Sequence, residues 1–143
     1  MKTNEKYFSW FDCWVITGIL WTTPDEAEID LAAIIGAGDM LNHSIYTEKE
    51  LKDGFYKAQK KGLISIKDNK IRLTEQGHEI KAKVQNMRGG LFSIVDNMQK
   101  KLNSIRTKFV DIPAEAIDLC NFINDISVKE SYEKYRRNIE KGR

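Results

Sequence analysis

The chain contains few of the residues that stabilise small domains covalently or through metals. It has two cysteines, two histidines and two prolines in 143 residues. Two cysteines are too few for a disulfide scaffold or a four-cysteine zinc site, and no two cysteines or histidines have a spacing such as Cys-x-x-Cys or His-x-x-x-His. A chain of this length can bury about two thirds of its unfolded surface without such aids. We therefore expect no metal and no cofactor.

Long hydrophobic runs are also missing. The most apolar segment, residues 7–21, is aromatic and is interrupted by Asp12. Its uninterrupted part is shorter than the roughly 20 residues that cross a bilayer, and no small-x-small cleavage site follows it. We expect neither a signal peptide nor a membrane anchor, and we expect a cytoplasmic protein whose cysteines are reduced.

Recognisable catalytic signatures are missing as well. Gly36-Ala37-Gly38 lies in a helical context and lacks the third glycine of a phosphate-binding loop. No serine, cysteine or lysine has a partner base at a spacing that indicates an activated nucleophile. We therefore expect that the protein is not an enzyme.

Charge is present in abundance but is unevenly distributed. The net charge is only +2, yet residues 1–46 carry −5 and residues 57–110 carry +9. A basic block of this size permits contact with nucleic acid. It is equally compatible with pairing between the acidic and the basic parts of the fold.

The first half of the chain shows helical periodicity and helix-start signals. Phe11, Trp14, Val15 and Ile19 recur at helical spacing, as in a mostly buried helix. Residues 23–26, Thr-Pro-Asp-Glu, predict the start of a second helix. That helix would extend to about residue 41, and its glycines leave open whether it is one helix or two.

A third helix is predicted after the capping box Thr47-Glu48-Lys49-Glu50. Leu51, Phe55 and Ala58 define its buried face, and Gly62 ends it. The opposite, exposed face then consists of Lys49, Asp53, Tyr56, Lys57 and Lys60.

The period changes from helical to alternating directly after Gly62. Residues 63–67 and 70–73 alternate as two strands around an Asp68-Asn69 turn, and Thr74 can cap a further helix. A helix followed by a two-stranded hairpin and another helix is the outline of a winged helix. The predicted fold class is thus mainly α with a small two-stranded β-hairpin, a winged helix with a C-terminal helical extension.

Two sequence segments resemble known bacterial proteins. Gly62-Leu63-Ile64, the hairpin and Leu73-Thr74-Glu75-Gln76-Gly77 resemble the recognition-helix end, wing and following helix of MarR- and PadR-type regulators, over roughly residues 12–85. The segment Gly38-Asp39-x-x-Asn42-His43, ahead of Thr47-x-x-Glu50-Leu51, resembles a group of small bacterial proteins to which we attach no activity. The first resemblance implies a winged-helix transcriptional regulator.

A winged helix that binds double-stranded DNA would use its third helix and its hairpin. Lysines of the helix could reach phosphates, the tyrosine could touch a base or sugar, and the hairpin could lie against the DNA backbone. The candidate residues are Lys49, Tyr56, Lys57, Lys60, Lys67, Asn69, Lys70 and Arg72. The alternative is a winged-helix module that presents this face to another protein, because fold does not settle function.

Asp39, Asn42 and His43 form the most conspicuous polar cluster of the sequence. Asp39 and His43 are four residues apart, so in a helix their side chains share a face and could hydrogen-bond. We interpret the cluster as a structural polar network that ends the second helix, with Asn42 as the cap.

The remainder of the chain is predicted to be helical. We divide the chain into a winged-helix domain, residues 1–88, and a helical extension, residues 89–143, with a break at Gly89-Gly90. An apolar stripe in the extension predicts a homodimer, because a stripe of this length left in water is unusual in monomers. Its residues are Leu91, Val95, Met98, Leu102, Ile105 and Phe109. The alternative is that helices over residues 114–124 and 128–141 fold back over the stripe.

Overall fold

The computed structural model describes residues 7–24, 27–67, 70–104 and 123–141. These residues are mainly helical, with a small antiparallel sheet. The elements in chain order are α1 (Trp10–Thr22), β1 (Ala27–Glu28), α2 (Leu31–Asn42), α3 (Glu48–Lys60), β2 (Ile64–Lys67), β3 (Lys70–Leu73), α4 (Glu75–Gln85), α5 (Gly90–Ser104) and α6 (Asp125–Lys141).

The sheet has three strands rather than the predicted two. Its order is β1-β3-β2, and both pairings are antiparallel. β1 contributes only two residues, with Ala27 opposite Ile71 and Glu28 opposite Lys70. A strand this short shows no alternating pattern in the sequence, so the periodicity could not reveal it.

The start of the second helix also differs from the prediction. Thr23 ends α1 as its C-cap, and its backbone N–H donates to Ile19 O. α2 begins after Asp30, whose carboxylate accepts from the backbone N–H of Ala33. Aspartate is as strong an N-cap as serine or threonine. Asp30, seven residues after Thr23, therefore starts the second helix in place of Thr23. α2 is one continuous helix despite its glycines.

The predicted start signals of the next two helices are confirmed. Thr47 and Glu50 form a capping box at the start of α3, and the Thr74 side chain accepts from Gly77 N–H at the start of α4. α4 ends at Gln85, and Gly89 and Gly90, which precede and begin α5, both have positive φ angles. Glycine adopts such angles more readily than other residues, which explains the break at this pair.

α1 is the centre of the core. Every residue from Asp12 to Leu20 is buried, so the helix has no polar stripe facing solvent. Helices α2, α3, α4 and α5 all pack around it. Gly54 allows α3 to approach closely, because a Cβ at this position would lie 2.4 Å from Val15 Cβ.

α5 also positions the segment that precedes α1. The side chain of Asn103 accepts from Phe8 N–H at 3.1 Å and donates to Phe8 O at 3.0 Å. Gln99 Nε2 donates to the same carbonyl, and Trp10 Nε1 donates to Asp96 Oδ1 at 2.8 Å. These hydrogen bonds hold Phe8 and Trp10 against the polar side chains of α5.

The predicted boundary between residues 88 and 89 does not separate two hydrophobic cores. Buried side chains of α5 belong to the same cluster as those of α1–α4. α6 packs on α2, and its partly buried Val128, Tyr132 and Tyr135 pack against the same cluster. Among the described helices, none combines the length and the apolar character that crossing a membrane requires.

Candidate nucleic-acid interface

The exposed side of α3 carries three lysines, one aspartate and one tyrosine. Lys49 is followed after three and four residues by Lys52 and Asp53, and Tyr56 and Lys60 continue at the same spacing, so that all five follow one side of the helix. Tyr56 and Lys49 are exposed, and the other three are partly so. The predicted residues Lys49, Tyr56 and Lys60 therefore share a surface. Sequence reasoning missed Lys52, although its spacing from Lys49 was the available signal.

Ion pairs along α3 neutralise part of this positive charge. Lys49 Nζ lies 2.6 Å from Asp53 Oδ2, and Lys52 Nζ lies 2.9 Å from Glu48 Oε1. The hydrogen bond from Lys49 to Asp53 raises the pKa of the lysine, so the lysine stays charged. Exposed pairs of this kind contribute little to stability and can exchange for other partners.

Lys57 does not belong to the exposed surface, which corrects its assignment as a DNA contact. Its Nζ lies 2.5 Å from Asp12 Oδ2 and donates to Tyr7 O at 2.6 Å. The ammonium also lies 4.6 Å from the centroid of the Tyr7 ring. The side chains of Lys57 and Asp12 are only 24% and 8% exposed. Lys57 therefore stabilises the contact between α3 and α1 and is not free to reach a phosphate.

Two further cations of the basic block also point towards the body of the protein. Lys61 is buried, its Nζ lies 5.8 Å from the Phe8 ring centroid, and burial lowers its pKa. Lys81 Nζ lies 5.4 Å from the Trp21 ring centroid. The net charge counted from the sequence of residues 57–110 is therefore larger than the charge that these residues present to solvent.

The outer face of the sheet carries the remaining predicted cations. β2 and β3 have complementary burial patterns, so that Ile64, Ile66, Ile71 and Leu73 face the core. The other face of the hairpin is exposed to solvent. On it, Ser65 pairs with Arg72 and Lys67 pairs with Lys70 across the two strands. Lys67, Lys70 and Arg72 are thus brought together as predicted, whereas Asn69 lies outside the described residues.

A carboxylate that the sequence did not reveal lies beside these cations. Glu28 of β1 is opposite Lys70 of β3 and is exposed. Cross-strand neighbours of opposite charge attract each other, so Glu28 offsets part of the charge at this edge. Because β1 was not predicted, nothing in the sequence connected Glu28 with the hairpin.

The polar cluster at the end of α2 is arranged differently from the prediction. His43, rather than Asn42, is the C-cap; it has a left-handed φ of 52°, and its backbone N–H donates to Asp39 O at 2.6 Å. The Asp39 carboxylate accepts instead from Tyr135 Oη of α6, at 2.6 Å. Tyr135 was not singled out because it follows Asp39 by 96 residues and carries no local signal.

Half of the predicted dimer stripe is covered within the single chain. Val95, Met98 and Leu102 are buried in the common core, whereas Leu91 is exposed. Ile105 and Phe109 lie outside the described residues. The prediction that these buried residues form a dimer interface is therefore wrong, because α5 packs on α1 and α4. The homodimer itself stays a prediction.

Comparisons with known proteins identify no relative of this chain. No family model, no curated protein and no solved structure matches the chain. Within the described residues, no group of three or more His, Cys, Asp or Glu side chains could hold a metal ion.

Proposed function

We propose that the protein is a winged-helix protein that binds double-stranded DNA through α3 and the outer face of the sheet. The element order α1-β1-α2-α3-β2-β3 and the strand order β1-β3-β2 support the winged-helix assignment. In this arrangement α3 is the recognition helix and the hairpin of β2 and β3 is the wing.

The observation that carries the proposal is the strand register of the hairpin. Lys67 is opposite Lys70, and Arg72 is on the same exposed face, opposite Ser65. Three cations on a short sheet face attract phosphate groups whatever the base sequence. On α3, Lys49 and Lys60 would add phosphate contacts, and Tyr56 would contact a base or sugar.

The experiment is a titration of a labelled duplex of random sequence, followed by fluorescence anisotropy at about 50 and 200 mM salt. The test variant combines Lys67→Gln, Lys70→Gln and Arg72→Gln. The control combines Lys100→Gln, Lys129→Gln and Arg137→Gln, which remove the same charge from exposed positions of α5 and α6. We expect binding by the wild type and the control, and weaker binding with a flatter salt dependence by the test variant. Each lost phosphate contact should reduce the slope of log affinity against log salt by about 0.9.

A protein-interaction module is the second candidate, and the carboxylates on the same surface favour it. Asp53 and Glu48 pair with lysines of α3, and Glu28 lies opposite Lys70. A surface of mixed charge suits recognition of another protein by charge complementarity. Folded wild-type protein that does not bind the duplex at the lower salt concentration would favour this candidate over the DNA-binding one.

A further inference from the structure

One carboxylate lies in the middle of the α3 surface that is proposed to face DNA. Asp53 follows Lys49 by four residues and precedes Tyr56 by three, so it lies between them on the exposed side of the helix. Its side chain is 46% exposed. A duplex that contacts both Lys49 and Tyr56 therefore also faces Asp53.

The bond between Lys49 and Asp53 leaves both groups able to bind DNA. Lys49 Nζ lies 2.6 Å from Asp53 Oδ2. This bond uses one of the three N–H donors of the ammonium and one of about four acceptor positions of the carboxylate. The pair can therefore stay intact while each group makes a further hydrogen bond. Glu50, by contrast, accepts from Thr47 N–H in the capping box.

The chemistry of a carboxylate restricts the part of a duplex that Asp53 can contact. Phosphate groups repel it, because both are negatively charged. Hydrogen-bond donors in the major groove are the amino groups of cytosine N4 and adenine N6. The first half of a recognition helix is the part that approaches base edges, and Asp53 lies in the first half of α3. Asp53 is thus placed to meet a base rather than the backbone.

Cytosine and adenine differ in what lies beside the amino group. On the major-groove edge, adenine N6 is next to the acceptor N7, whereas cytosine presents N4 with no acceptor of its own. A carboxylate has only acceptors, so at adenine it would meet the N7 lone pair as well as the N6 donor. Cytosine is therefore the base that fits Asp53 best.

We propose that Asp53 is a specificity-determining residue of the DNA-binding surface and accepts a hydrogen bond from cytosine N4 in the major groove. The inference rests on the DNA-binding function proposed above, and it specifies the substrate as duplex DNA with G·C pairs facing the first half of α3. Lys49 keeps its bond to the carboxylate and directs its other N–H donors to a neighbouring phosphate.

The test compares two duplexes of equal length, one of alternating G and C and one of alternating A and T. Each competes with the labelled random duplex at about 50 mM salt. The readout is the ratio of the two dissociation constants, in which phosphate contacts common to both duplexes cancel. We expect the wild type to bind the G·C duplex at least about fivefold more tightly than the A·T duplex.

Asp53→Asn separates base readout from differences in duplex shape. The amide has the size of the carboxylate but carries a donor and an acceptor, which fit adenine N7 and N6. The lost ion pair is exposed, so the fold is retained. The preference should shift at least about fivefold towards the A·T duplex. Glu79→Gln is the matched control, because it removes the carboxylate of an exposed pair with Lys83 on α4, and it should keep the wild-type ratio.

The outcomes distinguish this inference from the function on which it rests. Wild-type protein that binds the two duplexes equally or prefers the A·T duplex would overturn the role of Asp53 and leave DNA binding in place. The same ratio in wild type and Asp53→Asn would have the same meaning. Folded wild-type protein that binds neither duplex would overturn both proposals.

Discussion

Lys57 Nζ of α3 lies 2.5 Å from Asp12 Oδ2 of α1, and both side chains are largely shielded from water. The same ammonium donates to Tyr7 O, and Asp12 also accepts from Ser9 N–H at 2.9 Å. The pair therefore joins α3, α1 and the segment that precedes α1. A shielded charge that loses its partner is costly, so this contact has a measurable consequence.

We expect Lys57→Met to lower the free energy of unfolding by about 2–4 kcal/mol, because the shielded Asp12 carboxylate loses its counter-charge. Urea denaturation measures the difference. Lys49→Met is the matched control, since it breaks the exposed pair with Asp53 and should cost less than about 1 kcal/mol. Equal losses in the two variants would show that the Lys57 pair is no more important than a surface pair.

The contact between Tyr135 and Asp39 predicts a pH dependence of stability. Burial first, and then the hydrogen bond and negative charge of Asp39, raise the pKa of Tyr135 from 10.0 to about 12. The unfolded chain therefore loses this proton at lower pH than the folded chain does. The contribution of Tyr135 is fully present below pH 10.0 and is lost as the pH rises towards about 12.

Tyr135→Phe removes the titrating hydroxyl and leaves the ring in place. We expect the difference in melting temperature between wild type and Tyr135→Phe to shrink as the pH rises from about 10 to about 12. Other tyrosines titrate in both proteins and cancel in the difference. A difference that stays constant over this range would contradict the contact.

The two sides of α5 predict a large and a small effect for substitution by aspartate. Leu102 is 1% exposed and Phe92 is 100% exposed. Leu102→Asp buries a carboxylate in an apolar core and should destabilise the chain by about 3 kcal/mol or more. Phe92→Asp should change stability by less than about 0.5 kcal/mol. Circular dichroism during urea denaturation measures both, and similar values for the two variants would contradict the packing of α5 on α1.

Light scattering of the wild type tests the homodimer separately. A mass near 16.5 kDa would contradict it, and a mass near twice that value would require an interface other than the buried stripe of α5.

The sequence predicted those features that depend on neighbouring residues. The caps at Thr47 and Thr74 and the alternation of β2 and β3 were identified correctly, because each signal lies within a few residues of its effect. The sequence also showed that α5 has an apolar face. It could not show that α1 and α4, rather than a second chain, cover that face.

Features that depend on distant residues were missed. Lys57 was assigned to the surface because its partners Asp12 and Tyr7 precede it by 45 and 50 residues. Asp39 was paired with nearby His43 because Tyr135 lies 96 residues further along the chain. Most cations of the candidate DNA-binding surface were therefore predicted. The prediction wrongly included Lys57, which faces inward, and it omitted Lys52 and Glu28.

The contacts of Phe8 and Trp10 with α5 have a consequence for the order in which the chain folds. α1 is synthesised before α5, and Asn103 and Asp96 follow their partners Phe8 and Trp10 by 95 and 86 residues. α1 cannot complete its packing until α5 has emerged from the ribosome, and until then the side of α1 that α5 covers remains exposed to water. Closing contacts over such separations slows folding relative to a bundle with only local contacts. A nascent chain that stops before α5 is therefore more prone to aggregation than the folded protein.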